Sequence, residues 1–180
     1  RMTESVDFSR YTRIKASRKG RVLTLALSNP KLMNAVDGEM HRELSRIFLD
    51  AADDPDSDII VLTGEGAAFS AGGDLNWMKR GFEAGEKGPD AAEAKRIVFS
   101  LLDLEKPIIA KVHGIATAAG CQLVASCDLA ICTDTSSFAT PGVNIGLFCS
   151  TPMVALSRAV HRKQAMEMLL TGDMIQADKA

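Results

Sequence analysis

Leu23, Leu25 and Leu27 alternate with other residues in RVLTLALS, and the run TRIKASR precedes them across Lys19-Gly20. Two short runs of period two joined through a glycine predict a β-hairpin over residues 12–28. The period then changes. From Asp37 onward, Met40, Leu44, Ile47, Phe48 and Ala51 fall at i, i+4, i+7, i+8 and i+11, the apolar stripe of an amphipathic helix that stops at DDPDSD. Three later runs, IIVLT at 59–63, IIAKV at 108–112 and DLAIC at 128–132, are short, apolar and bounded by turn residues, and each predicts a buried strand. The first leads into the glycine-rich GEGAAFSAGGDLNWMKR. The second leads into GIATAAGCQLVASCD, residues 114–128, a short apolar strand and a small-residue turn that opens a helix. FEAGEKGPD at 82–90 reads as a polar connection of low order, and residues 90–105 as a helix ended by Lys106-Pro107. Past SSFATPGVNIGLFCSTP, helices are expected from about Pro152 and over Arg162–Leu170, and TGDMIQADKA reads as the start of another.

Strand, glycine-rich turn and helix therefore recur without a sequence repeat, which predicts an α/β fold in one domain. Composition fits: 180 residues, 46% of them hydrophobic, are enough for a substantial core. The net charge of -2 gives no overall positive field for nucleic acid or an anionic membrane, so a phosphate-bearing ligand must be met by local basic groups or helix N-termini. No apolar run approaches the roughly 18 residues of a bilayer span, and neither membrane nor nucleic acid is expected as a partner. Cys121, Cys127, Cys132 and Cys149 lack metal-ligand spacing and lie in apolar stretches, so they read as small buried residues in a reducing compartment, with no metal.

Gly64-Glu65-Gly66 after a strand invites a dinucleotide reading, but Phe69 stands where the third glycine would pack a helix, and no acidic residue ends a strand about 20 residues later. The chain carries neither GxxxxGK[ST] nor GxSxG, so an NTP loop and a serine elbow are not supported.

Two separated segments carry a more specific signal. Phe69-Ser70-Ala71-Gly72-Gly73-Asp74-Leu75 is similar to the FxAGxDL motif of the crotonase superfamily, the enoyl-CoA hydratase and isomerase proteins. Lys106-Pro107-Ile108-Ile109-Ala110, then Gly114, Gly120-Cys121 and Cys127-Asp128-Leu129, resembles that family's second motif, and Phe138, Pro141, Gly146 and the TGxxIxAxxA pattern of 171–180 continue the match. Residues 106–180 resemble one branch of the family, whereas the first half looks more like its ordinary bacterial hydratases. The resemblance implies a crotonase-like spiral of ββα units over residues 1–180, a core domain truncated before the C-terminal helices that close the pocket and form trimers. It also implies an acyl-CoA thioester as substrate, no further cofactor, a homo-trimer or hexamer at full length, and a cytoplasmic or, in a eukaryote, mitochondrial-matrix location.

By motif position the resemblance makes the backbone N–H groups of Gly73 and Ala119 an oxyanion hole, two donors that hold a thioester oxygen as it becomes an enolate. It places Ala71, Gly72, Gly73, Asp74, Leu75, Asn76 and Gly120 against the ligand, and Lys31 at a positively charged entrance near the CoA phosphates. Family members often carry lysine where Asn76 stands, so phosphate affinity is expected to fall unless Lys79 or Arg80 compensates. Hydratases of the family use two glutamates, and those places hold Gln122 and Gly142. An amide and a hydrogen atom cannot act as general acid or base, a function typically contributing about 10²- to 10⁴-fold in rate. Gln122 is left to orient water or the thioester by hydrogen bonding. Among substitutes, Asp74 reads as the cap of a helix starting at Leu75, His113 as a backbone partner, Asp128 as a turn holder and Glu65 as a loop charge with no assigned partner. Three functions remain open on this reading: a hydratase or isomerase with unorthodox groups, a decarboxylase acting on a malonyl-type CoA, and a non-catalytic acyl-CoA-binding subunit.

Overall fold

The computed structural model describes residues 5–83, 85 and 91–180. Strands β1 (Ile14–Lys19) and β2 (Val22–Leu27) form the antiparallel hairpin, with Gly20 at φ +58 in its turn. Helix α1 (Gly38–Asp53) follows a short 3-10 turn at Pro30–Leu32. Asp37 caps it by accepting the Met40 N–H at 2.8 Å, as an N-cap carboxylate should. Next come β3 (Ile59–Gly64), α2 (Leu75–Glu83) and α3 (Ala91–Leu102). Of the expected polar connection 82–90, the start belongs to α2, while residues 84 and 86–90 lie outside the described residues. The chain continues through β4 (Ile108–Val112), β5 (Ile115–Thr117), α4 (Ala119–Ser126), β6 (Leu129–Cys132) and β7 (Ser137–Ala139). A 3-10 turn at Pro141–Ile145, α5 (Ser150–Ala159), α6 (Arg162–Thr171) and β8 (Ile175–Gln176) complete it.

The main sheet has the order β1-β2-β3-β4-β6 and is parallel from β2 onward; a small sheet, β5-β7-β8, stands beside it. Leu23, Leu25 and Leu27 of β2 and Ile60 and Leu62 of β3 are fully buried, as are Met40, Ile47 and Phe48 of α1. The period-two and period-3.6 stripes of the sequence thus meet in one core.

The structure departs from the sequence pattern at β6 and at the C-terminal stretch. Of DLAIC, Leu129–Cys132 form strand β6, but all four of these residues are exposed, Leu129 at 62% and Ile131 at 59%. β6 is the edge of the sheet, and an apolar run reads alike for an edge and an interior strand. The C-terminal stretch does not begin with a helix. Gly172, at φ +71, closes α6 in the left-handed conformation, and Ile175 then pairs with Phe138 as a strand.

Two part-buried polar contacts fasten the sheet to α1. Lys106 donates to the Ala51 carbonyl at 2.7 Å and to that of Asp54, satisfying carbonyls at the helix C-terminus. Arg18 grips the buried Asp54 carboxylate with two bonds of 2.8 and 3.2 Å. Burial alone would raise the Asp54 pKa, but the Arg18 bonds and a hydrogen bond from Ser57 outweigh it and hold the carboxyl below its ordinary value. A depressed folded pKa gives stability that is present above the unfolded value of about 3.9 and lost as pH falls through the folded one. Asp54→Asn is therefore expected to lower unfolding free energy by about 1–3 kcal/mol at pH 7, the partial exposure of Arg18 tempering the larger cost of breaking a buried pair. The gap from wild type should shrink when urea unfolding is repeated at pH 3. An equal gap at both values would show that the charge contributes nothing.

Candidate functional site

The site begins where β3 ends. Phe69 donates its N–H to His113 O at 2.9 Å, and Ser70 pairs in parallel with Ala116 of β5, donating to Ile115 O at 3.1 Å and accepting from Thr117 N–H at 2.9 Å. After Ser70 the chain turns sharply, with Gly72 at φ +92, and Asp74 caps α2 by accepting the N–H groups of Asn76 at 2.9 Å and Trp77 at 3.2 Å. Val36 flanks this turn, donating to Gly72 O at 2.7 Å and accepting from Asp74 N–H at 3.0 Å. In such a parallel bridge the intervening N–H points away from the partner. The Gly73 N–H has no acceptor among the described residues.

The second turn lies against the first. A Cβ on Gly72 would stand 2.8 Å from both Ala118 Cβ and Thr117 O, so only glycine lets the two backbones approach this closely. Ala118 takes φ +48 and ψ -113, a conformation that costs a non-glycine residue roughly 1–3 kcal/mol. Its N–H donates to Ala139 O of β7 at 2.9 Å. Helix α4 starts at Ala119, and its first hydrogen bond runs from Gln122 N–H to Ala118 O at 2.9 Å. Ala119 N–H thus precedes the ladder and has no acceptor among the described residues, at the positive end of the helix dipole. Two adjoining turns, each with an unspent backbone donor, can stabilise negative charge on a ligand oxygen without any side chain.

The remaining expected residues fall around these turns. Ala71 N–H donates to Met33 O at 2.9 Å, which brings the segment bearing Lys31 against the first turn; Lys31 itself is exposed. Leu75, Asn76 and Arg80 are exposed on α2, and Lys79 pairs with Glu83 at 3.7 Å. Gly120 packs on Ser70, its would-be Cβ 2.6 Å from Ser70 O. Gln122 sits half-buried one turn into α4, and its amide has no hydrogen-bond partner among the described residues. Gly142 opens no space for a carboxylate: a Cβ there would lie 2.4 Å from Leu147 O and 2.8 Å from Cys149 Sγ. Gly142→Ala is accordingly expected to destabilise by about 1–3 kcal/mol in denaturant unfolding, and a neutral result would mean that the Leu147 loop yields freely.

Of the substitute acids, His113 bonds Gly66 O at 2.9 Å, and Asp128 accepts the Ile108 N–H at 2.9 Å, fastening the start of β4. The loop charge Glu65 is held by Lys15 at 2.9 Å and Ser28 at 2.6 Å, with Ser28 and then Lys15 lowering its pKa. The four cysteines are free thiols, but Cys132 is exposed rather than buried, since it ends the edge strand β6. Burial pushes the Cys121 thiol up to about 12, so beside Gln122 it stays protonated near neutral pH. The described residues hold no cluster of metal-ligating side chains and no helix long and apolar enough to cross a membrane. Ser70 and Asn34, both wholly buried at the first turn, are polar groups that sequence reasoning passed over. Ser70 lay inside the motif, its signal masked because the variable place of FxAGxDL carries no fixed residue type.

A family model described as enoyl-CoA hydratase/isomerase matches residues 17–180. Human mitochondrial enoyl-CoA hydratase domain-containing protein 3 is 48% identical over 164 residues, covering 88% of this chain and 52% of that protein. The likeness to this branch therefore extends well beyond residues 106–180. A crystal structure of an enoyl-CoA hydratase from Mycobacterium smegmatis superposes with a TM-score of 0.84 at 44% identity, covering 94% of this chain and 66% of that one. The human domain-containing protein 3 structure gives 0.82 at 44%, covering 93% and 66%. The chain spans about half the length of that human relative and about two thirds of the solved chains.

Proposed function

Because this chain belongs to the enoyl-CoA hydratase/isomerase family and has its crotonase fold, we propose that it binds an acyl-CoA thioester and holds the carbonyl oxygen between Gly73 N–H and Ala119 N–H. The observation that carries this reading is the direct contact of two turns whose donors are both unspent. In it, Ala71–Asn76 and Gly120 line the acyl thioester, and Lys31 meets the CoA phosphates. No cofactor beyond the CoA thioester is required.

Gln122 and Gly142 set what chemistry the site supports. With no proton-transferring group at either place, ordinary hydration of a double bond lacks both its acid and its base. Decarboxylation of a malonyl-type CoA is favoured instead, because the breaking C–C bond releases CO₂ and leaves its electron pair as the enolate, so no base is needed. The two N–H donors then stabilise that enolate until solvent protonates it. Binding without turnover is the remaining reading.

The test is incubation of the full-length protein with crotonyl-CoA and with methylmalonyl-CoA. Expected are binding of both, no hydration of the first and CO₂ release from the second. Hydration of crotonyl-CoA overturns the chemistry, tight binding without turnover reduces the protein to an acyl-CoA binder, and failure to bind CoA thioesters removes the reading altogether. We extend the proposal to one core domain over residues 1–180 within a longer chain that assembles as a trimer or hexamer. The exposed Leu129 and Ile131 support a covered edge there. A mitochondrial location is supported by the human relative's name, with the cytoplasm as the prokaryotic counterpart. A monomeric full-length protein in sedimentation would contradict the assembly.

A further inference from the structure

We propose that Ser70 is the positioning residue that sets the spacing between the two backbone donors, an inference that rests on the reading of Gly73 and Ala119 as an oxyanion hole. Ser70 is wholly buried and touches both turns. Its hydroxyl donates to Asn34 O at 2.8 Å and accepts the Gly72 N–H at 3.2 Å, the peptide immediately before the Gly73 donor. Its backbone is bonded on both sides to β5, the strand that leads into the second turn. Its side chain also lies on the helix that carries the other donor: a Cβ on Gly120 would stand 2.8 Å from Ser70 Cβ and 3.1 Å from Ser70 Oγ.

The chemistry follows from these contacts. The Gly72–Gly73 segment is a glycine pair with wide backbone freedom; Val36 holds the peptide that carries the Gly73 N–H from one side through Gly72 O, and Ser70 fixes the preceding peptide through the Gly72 N–H. A hydroxyl that accepts one N–H and donates to a buried carbonyl has its rotor locked by that pair of bonds. Asn34, itself left-handed at φ +54, is held in turn by its side chain, which donates to Glu65 O and Ala68 O at 2.8 Å each and accepts Asn29 N–H at 2.8 Å. The first donor turn is thereby anchored to a rigid loop, and the second is packed on the same serine. Oxyanion stabilisation depends on donors fixed about 3 Å from where charge develops, so the one buried side chain that touches both turns sets their spacing, while Val36 and Ala139 hold each turn separately.

The experiment compares affinities of the full-length protein for an acyl-CoA thioester and for the matching S-alkyl-CoA thioether, which lacks the carbonyl. Ser70→Ala is expected to reduce the thioester-to-thioether preference about tenfold while leaving thioether affinity within about twofold, and Ser70→Cys, which keeps a weak donor and acceptor, to restore part of the preference. A purely structural role would weaken both ligands together. An unchanged preference in Ser70→Ala overturns the inference; if that variant does not fold, an unchanged preference in Ser70→Cys does so. A wild-type protein with no preference for the thioester overturns the donor assignment and this inference with it, whereas a wild-type preference that survives Ser70→Ala overturns the role of Ser70 alone.

Discussion

Ala119→Pro is expected to weaken binding of an anionic enolate mimic of a CoA thioester by about 10- to 100-fold, the worth of one charge-assisted hydrogen bond, while leaving S-alkyl-CoA binding unchanged. The substitution is chosen for its position. At Ala119, the first residue of α4, proline removes an N–H outside the helical ladder and its fixed φ suits the helix. Its ring crowds the Ala118 Cβ, however, since Ala118 at φ +48 and ψ -113 lacks the extended conformation favoured before proline. The substitution is therefore made in an Ala118→Gly background, with Ala118→Gly alone as the reference. The N–H that proline removes is the one the site would use. Calorimetric titration with both ligands reads the effect, and thermal unfolding checks that the helix start survives. Equal weakening for both ligands would indicate a deformed pocket rather than a lost donor. No weakening for either would remove Ala119 from the site.

Gly114→Ala should have the largest effect on stability, a loss above about 4 kcal/mol in denaturant unfolding. Gly114 has φ +59, and a Cβ there would meet Ala67 O at 2.2 Å, with Ala67 C and Ala68 Cα at 3.2 Å. Those neighbours are backbone, so no rotamer change relieves the clash. The displaced segment runs directly into Phe69 and Ser70, whose backbone bonds to His113, Ile115 and Thr117 join the two motifs. Gly20 provides the comparison. It has the same backbone conformation, φ +58, but nothing lies within 4 Å of its would-be Cβ. Gly20→Ala should therefore cost only the conformational share, about 1–2 kcal/mol. Similar losses at both sites would mean that the Ala67 contact is unimportant.

The regular part of this fold was legible because its causes are local. The stripe Met40, Leu44, Ile47, Phe48 and Ala51 and the alternation Leu23, Leu25 and Leu27 are periodicities that one window of sequence contains, and every one of these side chains is buried. Asp37 and Asp74 are caps for the same reason: their bonds reach only two or three residues ahead. What failed depends on residues far apart. The exposure of β6 follows from its place at the sheet edge, and β8 exists because Ile175 meets Phe138. For the same reason no partner could be assigned to Glu65 from sequence: Lys15 and Ser28 lie 50 and 37 residues away.

The candidate site divides along the same line. Its glycines were visible as a motif, since a close backbone approach leaves a compositional trace at Gly72, Gly114 and Gly120. Its donors are backbone groups and leave none. The role of Ser70 required the pairing of Ser70 with Ala116, a contact across 46 residues that no spacing rule reveals. The departures at 122 and 142 were readable as residues, but the closure of position 142 by Leu147 O and Cys149 Sγ emerged only from the fold.

Two backbone N–H groups, with no carboxylate at positions 122 and 142, are proposed to polarise a bound thioester carbonyl. Isotope-edited difference infrared spectroscopy of a ¹³C=O-labelled acyl-CoA, free and bound to the full-length protein, reads that polarisation at the carbonyl itself. The carbonyl stretch is expected to shift to lower wavenumber on binding, with the shift reduced in Ala119→Pro. A carbonyl that binds with its stretch unshifted from water, or one whose shift survives Ala119→Pro intact, would contradict it.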